Sequence, residues 1–356
     1  MMRGKKMKTK IQLKKVFCVV LSLVLLAGVL AGCAKEAPKQ PEQEQKVDFP
    51  TQDLAGIVQW GAGGGTDTIS RAITPLAEKY LGRTIVMQNK TGATGAIATQ
   101  FVYDQKADGH TLLFGAENPQ LYQVMDISKL TYKDFEPVIL TGYETAVIVV
   151  PADSKFNNIH DLLDEAKANP GKIKLGTTGP GGLPFVVASF LKTVSEVEFN
   201  QIPFDGDGPV LTALLGGHVE VTIVKMSIAD EMYKAGKIKV ISAITDKPME
   251  GVDVAAIGQE IPAYNKYLPW GLFYGVFVKK ETPEETKQIL KDAFRKAFEE
   301  EQFQSFLKGR YITPLGTSGK EAEEFLDNWQ SVSAWLLYDA GGAPISPEKF
   351  GIKRVE

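Results

Sequence analysis

Cysteine and histidine are nearly missing from this chain: 356 residues carry two cysteines and three histidines. No Cys/His cluster with metal-ligand spacing and no H-E-x-x-H pair exists, so neither a structural nor a catalytic metal is expected. A G-x-S-x-G elbow is also absent, which removes the usual serine hydrolase. His110, His160 and His218 stand at turns and element starts, where histidine usually serves as a cap. Positive charge is scarce too. The whole chain has a net charge of −3.

Most of the basic excess lies at the very start. Met1 to Lys15 holds seven positive charges and no acid, followed by the apolar run "VFCVVLSLVLLAGVLAG" and then a polar stretch. Basic, apolar and small residues in that order make residues 1–32 a secretory signal peptide, outside the fold. "LAGC" ends it, the pattern at which bacterial lipoproteins are cleaved and Cys33 is lipidated. Cys18 leaves with the leader, so Cys33 has no partner for an intramolecular disulfide. Acyl chains on Cys33 would hold the mature protein at a membrane surface. Loss of the leader removes seven positive charges and leaves about −10, which argues against nucleic acid as a partner. Residues 33–50, rich in Pro, Gln, Glu and Lys, read as a flexible tether.

From Leu54 onward, short apolar runs alternate with helical periods. "LAGIVQW" reads as a buried strand, and Ile69, Ala72, Ile73, Leu76, Ala77 and Tyr80 form one face of a helix. Pro75 inside that helix should bend it or leave a carbonyl unpaired. Strand-like "RTIVMQN", "HTLLFGA", "TAVIVVPAD", "IKLGTTG", "VEFNQIPF" and "KIKVISAITD" alternate with helix-like segments, which predicts βαβ units and a mostly parallel sheet. "LFYGVFVKK" returns as a strand, "PEETKQILKDAFRKAFEEEQFQSFLKG" reads as one helical run, and 248–269 as loops. Two α/β sets facing a cleft follow, with 51–148 and 270–356 as lobe 1 and 149–269 as lobe 2.

Glycine is concentrated at the strand-to-helix junctions. "QWGAGGGTDT" places Gly61, Gly63, Gly64 and Gly65 just before a helix. It is not a P-loop, because Asp67 stands near the place where a lysine must neutralise phosphate. It is a poor dinucleotide fingerprint, because Thr66 takes the third glycine's place and "VMQNKTG" supplies no acid for the ribose. No cofactor is therefore expected. Backbone N–H groups at the start of a helix suit a smaller anion, and Thr66 adds a hydroxyl. Asp67 reads as a cap, or as a partner for a ligand hydroxyl or ammonium. Arg71 could assist or be a solvated helix residue.

Similar loops recur: "NKTGATGA", "GAENP", "GTTGPGGLP" and "FDGDGP". Ligands of open α/β sheets bind where such loops gather, outside the carboxyl ends of strands. Hydrogen bonds to a charged group contribute ~1.5–3 kcal/mol each, so four give roughly 6–12 kcal/mol before association costs. Micromolar binding needs about 8 kcal/mol, so backbone donors suffice without an arginine clamp.

"WGAGGGTDT", "NKTGATGAIATQFVYDQKADGHTLLFGAENP", "DLLDEAKANPGKIKLGTTGPGG" and "PFDGDGPVLTALLGGHVEV" resemble, in order, the substrate-binding receptors of tripartite tricarboxylate transporters, the Bug-type receptors. The resemblance spans roughly 54–340. It implies an α/β, two-lobed periplasmic-binding-protein type II fold with a hinge and an interlobe cleft. It implies no catalysis and a small carboxylate ligand: a di- or tricarboxylate or an aromatic carboxylate. Large and small membrane permease subunits, driven by an ion gradient, would be the partners. Family contacts carried onto this chain are Gly63, Gly64, Gly65, Thr66 and Asp67 in one lobe, and Thr178, Gly179, Gly181, Asp205 and Gly206 in the other. Asn118 is a further contact, and Trp60, Phe185 and Phe204 are expected to select among ligands. Gln59 departs from the proline common in the family. A lipid anchor in place of a free periplasmic form points to the outer face of a Gram-positive membrane, and a monomer is expected. Two other functions stay open at this level: a sensor feeding a membrane signalling protein, and a secreted α/β enzyme. The enzyme reading lacks a nucleophile–base pair.

Overall fold

The computed structural model describes residues 47–249, 251–268 and 270–354. The signal peptide, Cys33 and nearly all of the tether lie outside the described residues. Three parallel strands and two helices open the fold: β1 (Leu54–Val58), α1 (Gly65–Leu81), β2 (Ile85–Asn89), α2 (Ala96–Tyr103) and β3 (Thr111–Ala116). β1 lies between β2 and β3 and pairs in parallel with both, as βαβ units do. α1 forms because Ile69, Ile73, Leu76 and Ala77 bury one stripe. It runs through Pro75 without interruption. Pro75 and Arg71 are both exposed, so the carbonyl that loses its bond to Pro75 faces water.

The seventeen-residue strand β4 (Phe135–Pro151) joins two sheets. Its first part, Phe135 to Thr145, pairs with β9 (Gly271–Lys279), and from Ala146 it pairs instead with β7 (Val221–Lys225) and β8 (Ile238–Ala243). Beyond it follow α3 (Ile159–Ala168), β5 (Lys174–Thr177), α4 (Leu183–Ser195), β6 (Asn200–Pro203), α5 (Asp207–Leu215), β7 (Val221–Lys225), α6 (Met226–Lys234) and β8 (Ile238–Ala243). The chain then passes through a short helix, α7 (Ile257–Glu260), and a 3-10 turn at Pro262–Tyr267, where the sequence pattern reads as loop.

The return strand β9 (Gly271–Lys279) inserts antiparallel between β3 and β4. α8 (Glu284–Glu299), α9 (Glu301–Lys308), β10 (Ile312–Thr317) and α10 (Gly319–Asp339) complete the fold. The single helical run read from the sequence is therefore broken at Glu300, which has extended dihedrals. The lobes are α/β sheets, buried on both faces at their central strands and joined through β4, the two-lobed type II architecture.

The sheets are mixed, not mostly parallel. β1/β2, β1/β3, β5/β6 and β5/β7 are parallel, and every pairing made by β4 and β9 is antiparallel. The cause is the two central strands, which run against the βαβ units to carry the chain between lobes. The first half of β4, "FEPVILTGYE", gives no clean strand signal, because Pro137 and Gly142 interrupt it and the pairing register shifts at both.

Candidate functional site

Four of the described α-helices are capped by glycine: α2 by Gly95, and three others whose starts meet at one place. Gly64, Gly182 and Gly206 are the N-caps of α1, α4 and α5, and none provides a side-chain cap. A helix start leaves its first N–H groups without internal acceptors, and a Ser or Asp cap would normally take one of them. The N–H groups of Gly65 and Thr66 meet no acceptor among the described residues. The first helical residues Gly65, Leu183 and Asp207 line one cleft of about 1020 Å³. Three positive helix ends therefore face a common space, α1 from one lobe and α4 and α5 from the other.

The α1 loop is held in shape from beneath. Asp67 is buried, and its Oδ2 accepts the Gly63 N–H at 2.9 Å. Its Oδ1 accepts from Arg71 Nε and Asn89 Nδ2, each at 2.8 Å. Asn89 Nδ2 also donates to the Trp60 carbonyl at 2.8 Å. Burial pushes the Asp67 carboxyl up, but the Gly63 N–H, the Asn89 amide and the Arg71 guanidinium outweigh it and hold the pKa below the usual value. Gln59 does similar work at the strand end. Fully buried, it donates to Thr99 Oγ1 at 2.7 Å and accepts from the Ala116 N–H at 2.9 Å, tying β1, β3 and α2 together.

A buried charged cluster underlies this loop. Lys225, at the end of β7, forms an ion pair with Asp207 at the start of α5. Burial opposes the Lys225 charge, but Asp207 and Glu144 raise its pKa and keep it protonated. Glu144 is fully buried, accepting from the Tyr274 hydroxyl at 2.6 Å and from the Ser227 N–H at 3.1 Å. Burial raises its pKa despite Lys225 and these donors. Glu117, at the end of β3, is pushed up to about 7 by burial. A Cβ on Gly65 would lie 2.6 Å from the Tyr274 hydroxyl oxygen and 3.3 Å from Lys225 Cε, so the loop rests on these two side chains only because Gly65 has none. No group of three or more His, Cys, Asp or Glu side chains among the described residues could hold a metal.

Trp60, Gly63, Gly64, Gly65, Thr66, Thr178, Gly179, Phe204, Asp205 and Gly206 all line the cleft. Asp67, Asn118, Gly181 and Phe185 do not. Asp67 is committed to its own loop, and the Gly63 N–H that it takes is not free for a ligand. Asn118 Nδ2 donates to the Gly181 carbonyl at 3.2 Å, and Thr94 Oγ1 donates to the Pro180 carbonyl at 3.2 Å. These two bonds link the lobes, the first of them buried and the second exposed. Phe185 is half-buried and turned to the C-terminal segment, where it nears Gly342. Arg71 is engaged by Asp67 and by Asn89 Oδ1 at 2.9 Å.

Sequence reasoning passed over Glu117, Asp207, Lys225 and Tyr274, which border the cleft together with Thr91 to Thr94. Glu117 and Lys225 share one signal: each sits at the carboxyl end of a strand, where α/β ligands bind.

A family model for the tripartite tricarboxylate transporter family receptor matches residues 69–336. A Cupriavidus necator protein is 29% identical over 313 residues, covering 84% of this chain and 91% of its own length. A TctC solute binding protein from Polaromonas, solved without ligand, is 27% identical, with 82% of this chain and 99% of that one superposed at a TM-score of 0.64. An R. palustris protein solved with adipate shares the fold at a TM-score of 0.78 and 23% identity, over 84% of this chain and 100% of that one.

Proposed function

The chain belongs to the tripartite tricarboxylate transporter receptor family, a family of extracytoplasmic solute-binding receptors, and from that premise we propose that it captures a small carboxylate and hands it to a membrane permease. The proposed ligand class is a di- or tricarboxylate or an aromatic carboxylate. The permease would comprise large and small subunits driven by an ion gradient. One observation carries the ligand class: three glycine-capped helix N-termini, with free N–H groups, open on one cleft. Such donors recognise an anionic group without a fixed positive side chain. The adipate in the R. palustris protein supports the same class.

Capture would involve closure of the lobes about β4 where it changes partners between Thr145 and Ala146. Binding residues would come from the loop at Gly63 to Thr66 in one lobe and from Thr178, Gly179, Asp205 and Gly206 in the other. Trp60 and Phe204 would set the shape between them. Cys33 would carry the lipid that keeps the receptor at the outer face of the membrane. No helix among the described residues is long and apolar enough to cross a membrane.

Thermal unfolding against adipate, succinate, citrate and benzoate tests the ligand class. Stabilisation that grows with concentration is expected for at least one, because ligand binding adds RT ln(1 + [L]/Kd) to stability. No response to any of them would remove the carboxylate reading.

A further inference from the structure

Glu117 borders the cleft as a buried acid without a cation of its own among the described residues, where Asp207 has Lys225 and Asp205 is exposed. It is 4% exposed, its Oε2 meets no partner among the described residues, and its Oε1 accepts a long 3.4 Å bond from Asn118 Nδ2. The groups around it come from every neighbouring element. Lys225 at the end of β7 attracts its charge, and Asp207 at the start of α5 opposes it. Tyr274 from β9, and Tyr122 and Tyr132 from the segment after β3, complete its surroundings. Lys225 cannot serve it alone, because Asp207 holds that ammonium and Glu144 shares its field.

Charge then decides the form of Glu117. Glu117, Asp205 and Asp207 line the cleft against one lysine. A carboxylate entering beside an ionised, unpaired Glu117 would meet a like charge in a water-poor site, and a buried carboxyl in that position is neutralised. Once neutral, the carboxyl carries a hydrogen that finds no acceptor among the described residues.

Resting on the carboxylate reading above, we propose that Glu117 takes part in capture as a neutral carboxyl group that donates its hydrogen to the ligand's carboxylate, so that each anion bound is accompanied by one proton. Where Glu117 is ionised in the free receptor, that proton comes from solvent; no covalent bond is made or broken. Burial already places the free carboxyl at about 7, and a neighbouring anion raises it further. Affinity therefore falls as pH rises above that value.

The experiment is calorimetric titration of the receptor with adipate and with succinate, between pH 6.5 and 8.5, in buffers of different ionisation enthalpy. Both probes are fully ionised across most of that range. Proton uptake should rise from about a quarter per ligand at pH 6.5 to about nine-tenths at pH 8, with roughly eightfold weaker binding at the higher pH. In Glu117→Gln, whose amide donates without titrating, uptake and the pH dependence of Kd should both vanish. Proton release, or uptake unchanged in Glu117→Gln, would overturn the proposal. So would a preference for 2-aminoadipate over adipate that disappears in the variant, since that assigns Glu117 an ionised role against an ammonium. If no carboxylate binds at any pH, the functional reading itself fails; if carboxylates bind without proton uptake, only this inference does.

Discussion

Gly65→Ala is the smallest change that separates a ligand-binding loop from a mere turn. The added methyl would sit 2.6 Å from the Tyr274 hydroxyl oxygen, where ordinary contact begins at 3.4 Å, so the loop or the tyrosine must move by about 0.8 Å. Tyr274 yields poorly, because its hydroxyl is bonded to buried Glu144 at 2.6 Å. A hydrogen bond of about 2.9 Å lengthened by that amount is no longer one. Losing the Gly65 and Thr66 donors to a carboxylate removes ~3–6 kcal/mol of gross interaction. Half of that, after water replaces part of the loss, is already roughly ten- to hundredfold in Kd. Stability should fall by only ~1–3 kcal/mol, the usual range for overpacking. Calorimetry gives Kd, and thermal unfolding confirms that the fold persists. The control is Gly65→Ala combined with Tyr274→Phe, which deletes the obstructing oxygen and should bind as the Tyr274→Phe single variant does. Binding by Gly65→Ala within about threefold of wild type would refute the reasoning, and a double variant no better than Gly65→Ala would remove Tyr274 as the cause.

Asp67→Ala leaves the Gly63 N–H and the Arg71 and Asn89 donors without their acceptor; a loss of ~2–4 kcal/mol is expected, with weaker ligand binding. Because the folded Asp67 pKa is depressed, that stabilisation is present above the unfolded value of 3.8 and is lost as pH falls through the folded one, so wild-type and variant melting curves should converge in acid. Glu117 acts in the opposite sense. Its pKa rises from 4.5 to about 7 on folding, so roughly 3 kcal/mol of stability present below pH 4.5 is lost by neutral pH. Melting temperatures of wild type and Glu117→Gln from pH 4 to 8 should diverge, with the variant the more stable at pH 8; parallel curves would contradict this. Cys33→Ala should move the protein from the membrane to the soluble fraction, and unchanged fractionation would count against a lipid anchor.

The glycine loops were legible because their message is local. A run such as Gly63 to Thr66 before a helical stripe tells of an uncapped helix start whatever surrounds it. The interior of the site was not, because it is assembled from residues far apart in sequence. Lys225 ends "VTIVK" and reads alone as a strand reaching water, yet β4 brings Glu144 and α5 brings Asp207 against it. Glu117 reads as one more polar residue of a turn; only burial makes it unusual. Asp67 is an intermediate case. Its place in the first turn allowed a cap, but the cap bonds the loop residue Gly63 from below and leaves the helix's own first N–H groups free. Gln59 shows the same limit: as a replacement for proline it looks like a matter of loop stiffness, whereas its buried amide joins three elements.

Free donors and buried charge in one place have a common thermodynamic consequence. A Ser, Thr, Asp or Asn cap contributes ~1 kcal/mol to a helix, and glycine forgoes only part of this at each site. Across α1, α4 and α5 the empty receptor therefore gives up a modest share of its stability, to which the unpaired Glu117 carboxyl adds. An anion that accepts from all three helix starts restores what each cap omits, and it does so only when both lobes are in place, because α1 stands on one and α4 and α5 on the other. An anion reaching one jaw recovers a fraction; one long enough to reach both recovers the whole. In the proposed receptor, closure and ligand length would thus be selected by the same missing caps, and the bonds from Thr94 and Asn118 to Pro180 and Gly181 would hold the two jaws together.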